Sequence, residues 1–413
     1  MAQKRGIHDV DQDPITKLEE EVRFGPRRRL ESSHELGQKL ELPSKSTPPT
    51  QVAFQKPYQL VSFSYTPQRE LVFNDSALRF WVEPPRNADL NYRYAHWIKR
   101  KEERGRLDGL LKAAIHARCD ETRSRARTIC WRGVLCKILI APYEERDKWE
   151  LNVMRLGDTI YLEEHATDQA LAQKENMNEH QRKQTYYGYS FESWCTDVRP
   201  RGHDQQPRWG GDVDTNVQWC SVVKTKIGQH RLLIGGEVDC VRGRYTEQPD
   251  TFVELKTSMT IRPGNGWDEA KFEKKLLKFY FQSFLLGVPE IVVGFRTPQG
   301  RLQTVQTFKT LEIPRMVRGK PSEWNPGVCL SWGDNFISQV IEWASKLTCT
   351  LERAQVGRIS FEPGVGMRFN MLSEAEIEEV RDGEDRIGFL PTWFVEHCLA
   401  PPKPSLSDEG RTL

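Results

Sequence analysis

The sequence predicts an α/β protein, and three observations carry that prediction. In the central third, residues 216–226 (NVQWCSVVKTK), 231–241 (RLLIGGEVDCV) and 251–256 (TFVELK) are short, β-branched and separated by Gly, Pro and Asp, as strands are. Directly after them, residues 270–287 keep a helical period through Phe272, Leu276, Phe279, Ser283 and Leu286, and stop at Gly287 with Pro289 beyond. Residues 291–295 (IVVGF) then return to strand, so strands and a helix alternate rather than segregate.

Taken in order, residues 1–50 are polar and charge-rich with no sustained apolar period, which predicts a disordered tail. Within it RFGPRRR (23–29) reads as a solvated basic cluster, with nuclear import as the functional alternative. The folded domain is expected over 51–402, with 403–413 as a flexible C-terminal tail. Val61, Phe63 and Tyr65 alternate with Ser, and Leu71 follows a Pro-containing turn, which is a hairpin signal. Between Ile98 and Lys137 twelve Lys and Arg face five acids, a local net charge of +7. Leu107, Leu110, Leu111, Ala114 and Ile115 follow helical spacing there, turning the cations toward solvent or toward a polyanion such as RNA. Residues 133–142 (GVLCKILIAP) read as a buried strand, and 149–154 and 159–163 as two more. Residues 164–184 are polar throughout and read as an inserted loop or exposed helix. Residues 336–346 read as an amphipathic helix, and 358–361 and 367–371 flank PGVG as a hairpin.

Composition excludes several classes of function. With 60 Lys and Arg against 58 Asp and Glu, the net charge of +2 excludes a globally basic nucleic-acid coat, so any basic footprint is local. No apolar stretch reaches the roughly 18 to 20 residues that cross a bilayer, so no membrane segment is expected. Nine Cys, an odd number without a CxxC pair, point to a reducing interior, cytoplasm or nucleus. Cys130, Cys136, Cys220 and Cys240 have no His at zinc-ligand spacing and read as buried thiols.

The informative residues are carboxylates inside apolar strands, because an unpaired buried charge costs several kcal/mol unless a metal or partner compensates it. Glu237 and Asp239 lie two apart, so strand alternation puts both on one face, roughly 7 Å apart. Glu254 and Lys256 repeat that spacing, and Glu192 ends GYSFE, where Tyr189 and Phe191 alternate with Ser190 as in a strand. Hard oxygen donors in this number suit Mg²⁺ or Mn²⁺, and a pair of such ions serves hydrolysis of a phosphate chain. Lys256 is then placed to orient water or neutralise charge on phosphorus. Lys278 and Gln282, four apart on the following helix, reach one side together. A surface ExD, or an ExK forming a same-face salt bridge, is the structural alternative for each motif taken singly. Trp209 and Trp267 lie near the motifs and read as core or loop anchors rather than cap-stacking residues.

At these residues the sequence resembles the decapping exoribonuclease (DXO-like) family, whose fungal nuclear member accompanies the nuclear 5′-3′ exoribonuclease. The matching motifs are the Arg of CWRG (Arg132), GYSFE (Glu192), GGEVDC (Glu237, Asp239), VELKTS (Glu254, Lys256) and KFYFQSFLLGVP (Lys278, Gln282). The resemblance implies a single domain of two β-sheets flanked by helices with a PD-(D/E)xK nuclease-like core. It implies removal of pyrophosphate from 5′-triphosphate RNA and of incompletely methylated or NAD caps. It further implies that Glu192, Glu237, Asp239, Glu254 and the carbonyl of Leu255 hold Mg²⁺ or Mn²⁺, two ions in all. Lys256 and Gln282 would serve water and phosphate, and Arg132 would face the substrate's phosphates. A non-catalytic stabilising subunit of the exoribonuclease, and a DNA nuclease of the same core, are the competing expectations.

Overall fold

Long β-branched runs that bury both faces have to be covered on both sides, and that requirement sets the layering here. The computed structural model describes residues 37–43, 48–117, 127–198 and 209–400. The strands are, in chain order, β1 (Gln38–Leu40), β2 (Phe54–Tyr65), β3 (Leu71–Val72), β4 (Phe80–Trp81), β5 (Thr128–Trp131), β6 (Trp149–Leu156), β7 (Thr159–Glu164) and β8 (Thr196–Asp197). After these come β9 (Gln218–Ile227), β10 (His230–Glu237), β11 (Cys240–Val241), β12 (Phe252–Met259), β13 (Glu290–Arg296), β14 (Leu302–Lys309), β15 (Gly357–Glu362) and β16 (Gly366–Met371). Ten of them form one mixed sheet in the order β1-β16-β15-β6-β7-β5-β10-β9-β2-β3, and six form another in the order β14-β13-β12-β11-β4-β8. The chain is thus mixed α/β with two main sheets, as expected, and a small two-stranded ribbon pairs Arg386–Ile387 with Leu390–Pro391.

Period-two alternation sorts the side chains between layers. On the large sheet Val223, Leu232 and Ile234 join one core, while Val222 and Leu233 point to a second core with Phe63, Leu110 and Phe389. The first core is shared by three helices: α2 (Arg132–Ile140), α5 (Gly266–Phe284) and α6 (Pro326–Ala344), through Leu135, Leu276 and Phe336 among others. The small sheet lends Ile291 and Val293 to that same core. Its other face carries Val253, Leu255 and Val292 against Tyr187 and Phe191 of α4 (Glu179–Cys195). The remaining helices that matter below are α1 (Asp108–His116), on the second core, and α3 (Asp168–Glu175).

Four expectations change in the structure, and one is settled between its two alternatives. Residues 133–142 are not a strand: they lie in α2, whose Val134, Leu135, Cys136, Ile138 and Leu139 are buried. An apolar run of eight fits either element, and burial between the two sheets on nearly all sides favours the helix. GYSFE is likewise helical, in α4, started by a capping box between Asn178 and Gln181. Buried Tyr186, Tyr187, Ser190 and Phe191 follow its 3.6-residue period, which the Tyr-Ser-Phe alternation mimics. The polar stretch 164–184 is the exposed α3 plus the first turns of α4, the helical option. The ExD pair does not sit on one strand, because β10 ends at Glu237 and β11 begins at Cys240 in the other sheet. Finally, structure begins inside the stretch 1–50 expected as a tail: Gln38–Leu40 pairs antiparallel with Met367–Phe369 of β16. The 23–29 cluster, the segment 403–413 and Arg118, Arg123 and Arg125 of the basic region lie outside the described residues.

Candidate active site

The joint between the two sheets is where the acids collect. Glu237 closes β10 in the large sheet, and residues 238 and 239 carry the chain across to β11 of the small one. Asp239 therefore lies over the neighbouring strand β12, whose Leu255 amide donates to its Oδ2 at 2.6 Å. On β12, alternation sends Leu255 toward α4 and leaves Glu254 and Lys256 on the face toward α2 and α5. Arg132, the first residue of α2, reaches Glu254 from that side: its Nη1 donates to Oε2 at 2.9 Å. Lys256 Nζ stands 2.6 Å from the other oxygen, Oε1. The Arg132 guanidinium also meets the main-chain carbonyl of Gln282 at 3.4 Å, tying α5 to the cluster. Two glycines make this approach feasible. A Cβ on Gly236 would stand 3.0 Å from the Arg132 Cβ, and one on Gly235 would stand 2.7 Å from the Trp131 ring.

The electrostatics divide the four carboxylates into one and three. Glu254 is only 1 % exposed. Burial alone would raise its pKa, but Arg132 and Lys256 outweigh burial and hold the carboxyl below its usual range. The other three lack such partners. Burial, reinforced by Glu254, pushes Asp239 up to about 7. Burial and the charges of Asp239 and Glu237 drive Glu192 well above the carboxylate range. Burial also raises Glu237, against a hydrogen bond of 2.8 Å from Gln218 Nε2. Four ionised carboxylates would carry more negative charge than Arg132 and Lys256 neutralise, and this crowding adds to burial in raising the other three. Among the described residues no three His, Cys, Asp or Glu side chains form a ready metal cage. Oxygens of Asp239 and Glu237 are turned instead to the Leu255 amide and to Gln218. The donor set nonetheless fits a hard divalent cation: crowded oxygens, three raised carboxyls and no spare cation.

Of the residues singled out in the sequence, Arg132, Glu192, Glu237, Asp239, Glu254 and Lys256 come together, with Leu255 and Gln282 contributing main-chain groups. Lys278 does not join them. It is exposed on α5, where its charge acts on Cys136 and Glu164. Trp209 packs with Trp194 and Tyr92, and Trp267 is 60 % exposed beneath Lys271. The four cysteines read as buried thiols are buried. Sequence reasoning missed Gln218, which accepts from Arg69 Nη1 at 2.7 Å and Arg100 Nη1 at 2.9 Å while donating to Glu237. The signal was available: Gln218 is a polar residue at the start of an apolar strand directly beside β10, the strand that ends at Glu237.

Comparison with known proteins fits this geometry. Residues 55–395 match the model of the RAI1 like PD-(D/E)XK nuclease family. The chain belongs to that family. Among its relatives, the decapping nuclease RAI1 of Mycosarcoma maydis is 37 % identical, over 83 % of this chain and 87 % of the relative. The decapping and exoribonuclease protein of Rattus norvegicus is 34 % identical, over 89 % and 92 %. The crystal structure of Scheffersomyces stipitis Rai1 in complex with (3′-NADP)⁺ and a calcium ion superposes with a TM-score of 0.72 at 26 % identity, over 86 % and 98 %. Membership makes this chain a nuclease of the RNA 5′-end-processing class, and hence a hydrolase. Among the described residues no helix is long and apolar enough to cross a membrane.

Proposed function

We propose that this protein is a divalent-metal-dependent hydrolase of RNA 5′ ends. Its substrates are 5′-triphosphate RNA, from which it releases pyrophosphate, and RNA with incompletely methylated or NAD caps. The observation that carries the reading is the imbalance at the sheet joint: three raised carboxyls beside one carboxylate held by two cations. Glu192, Glu237, Asp239 and Glu254, with the carbonyl of Leu255, would hold Mg²⁺ or Mn²⁺. When bound, such ions lower the pKa of water and stabilise charge on attacking and leaving oxygens. The chain's own residues do the rest. Arg132 and Lys256 are anchored on Glu254 and present their remaining donors to phosphate oxygens, where a charge-assisted hydrogen bond grows as negative charge develops. Burial of the cluster keeps bulk water away and strengthens these interactions. Gln282 places its α5 turn against Arg132, so the helix fixes the guanidinium's direction. Lys278, exposed on α5, would meet substrate phosphate away from Glu254 and Lys256.

The test uses γ-labelled 5′-triphosphate RNA with wild type and a Glu237→Ala, Asp239→Ala double variant, in Mg²⁺, Mn²⁺ or chelator. Labelled pyrophosphate should appear with wild type and metal only, with at least a thousandfold loss in the variant, as for removal of a positioned charge-stabilising group. Release that is equal in the two proteins would overturn the reading. The same proposal places the protein in the nucleus as a partner of a nuclear 5′-3′ exoribonuclease, on the basic run 23–29 and the family likeness.

A further inference from the structure

Arg69 and Arg100 come from distant parts of the chain, yet their guanidinium groups share a single acceptor, the Oε1 of Gln218. Both are held firmly. Arg69 occupies the turn between β2 and β3 at φ 64°, its amide donates to the Thr66 carbonyl, and its guanidinium lies 3.9 Å over the Tyr65 ring. The same Nη1 also reaches the carbonyl of Asn216 at 2.9 Å. Arg100 is fixed through its main chain, whose amide donates to Thr215 Oγ1 at 2.7 Å, next to a bridge between Ile98 and Asp214. Neither arginine makes an ion pair among the described residues; Glu103, exposed, is the acid whose charge reaches Arg69. Each guanidinium spends only Nη1 on the protein, so Nε and Nη2 of both remain as donors, and both side chains are half-exposed.

Two like charges that share one amide oxygen repel each other, and the Glu237 carboxylate that feels Arg100 is itself bonded by Gln218 rather than by either arginine. Such an arrangement persists where an anion is shared between them, and planar guanidinium groups with free forked donors suit a phosphate. The position decides which phosphate. The pair stands beside Glu237, one amide side chain away from the acid cluster, and both of its side chains reach solvent. A strand whose 5′ end lies among the acids would meet this half-exposed pair on leaving along the Gln218 side. Aromatic surface accompanies it: Tyr189 of α4 feels the charges of Glu192, Glu237 and Arg100, and its ring contacts Trp97 at 5.9 Å.

We infer that Arg69 and Arg100, locked by Gln218, form a subsite for an internal phosphodiester of the single-stranded RNA that trails from the reacting 5′ end. The inference rests on the RNA 5′-end reading above and adds the substrate's body to it. Gln218 then does two things at once, aiming both guanidinium groups and fixing Glu237, so that strand binding and the acid cluster share one hinge residue.

The experiment measures fluorescence anisotropy of 3′-labelled, ten-nucleotide single-stranded RNAs of one sequence bearing either a 5′ hydroxyl or a 5′ triphosphate, in chelator, over a range of KCl. Wild type is compared with Arg69→Ala, Arg100→Ala, Arg100→Lys and, as a remote control, Lys309→Ala on the edge strand β14. Each Ala variant at the pair should weaken binding about tenfold and reduce the slope of log affinity against log salt by about 0.7. Arg100→Lys should keep the slope, because the charge stays, and it guards against misfolding of the Ala variants, which melting curves also monitor. Unchanged slopes in folded Ala variants would overturn the subsite while leaving the 5′-end reading intact. A loss confined to 5′-triphosphate strands would overturn the internal position in favour of the terminal phosphates. A wild type that neither binds RNA in a salt-dependent way nor releases pyrophosphate would remove the 5′-end reading itself, and the subsite with it.

Discussion

Glu192 illustrates what a single carboxyl costs at this site. It sits in α4 with Asp239 and Glu237 close enough to raise its pKa further, while Lys256 supplies the main opposing charge. A group whose folded-state pKa lies above its unfolded value prefers the proton in the native state. Its ionised form therefore destabilises the fold, increasingly so as pH rises from the unfolded pKa toward the folded one. Glu192→Gln removes that charge while keeping the shape. It should raise the metal-free protein's unfolding free energy at pH 7 by about 1 kcal/mol or more, read from urea melts, and lower pyrophosphate release steeply. A Gln variant less stable than wild type at pH 7 would show that the carboxylate is satisfied by neighbours and is not a strained oxygen donor. Stability given up at the reacting centre is the expected direction of the trade.

At the level of elements, the short α2 makes the site, because its first residue is Arg132 and its approach to β10 depends on Gly235 and Gly236. Gly236→Ala would press a methyl to 3.0 Å from the Arg132 Cβ and 2.8 Å from the Leu286 Cδ1. Leu286 can swing aside, whereas Arg132 Cβ cannot move without its helix. The variant should lose about 1–3 kcal/mol by overpacking, offset in part by reduced freedom of the unfolded chain. It should lose activity more than a solvent-facing Gly133→Ala does, and comparing rates and melts of the two checks this. The GG pair was legible as part of a motif, but its role was not, because Arg132, for which it makes room, opens a helix whose remaining residues were read as a strand. Where the sequence patterns were unambiguous, as in the helix over α5, the β2–β3 hairpin and the strands β9, β12 and β13, the elements stand as expected. Where an apolar run of eight or a Tyr-Ser-Phe alternation fitted both periods, only packing between the sheets and the Asn178 capping box decided the outcome. The carboxylates were found because charge inside apolar runs is a strong signal. Gln218, Arg69 and Arg100 were passed over because their relation is set by long-range pairing, across sequence separations of 149 and 118.

Over the whole molecule, the acids are held by both sheets at once: Glu237 belongs to the ten-stranded sheet and Glu254 to the six-stranded one, with Asp239 on the crossing between them. Ligands that bind all three therefore bind the assembled fold and not the unfolded chain, and their binding energy adds to its stability by mass action. A divalent ion at one hundred times its dissociation constant should contribute about 2.7 kcal/mol, and a domain of this size should gain a few degrees in melting temperature. The increase should appear with Mg²⁺, Mn²⁺ and also Ca²⁺, since all take oxygen donors, whether or not each supports turnover. It should vanish in the Glu237→Ala, Asp239→Ala variant while that protein still melts cooperatively. This measurement separates two roles that activity alone confounds. A chain retained mainly to stabilise a partner would keep its fold without gaining stability from divalent ions, because its acids would be satisfied within the structure. A shift in melting temperature that depends on the two acids, together with pyrophosphate release that needs the same ions, ties the sheet joint to both binding and turnover. If the shift survives the double variant, the ions act elsewhere on the surface, and the joint between the sheets is not where they bind.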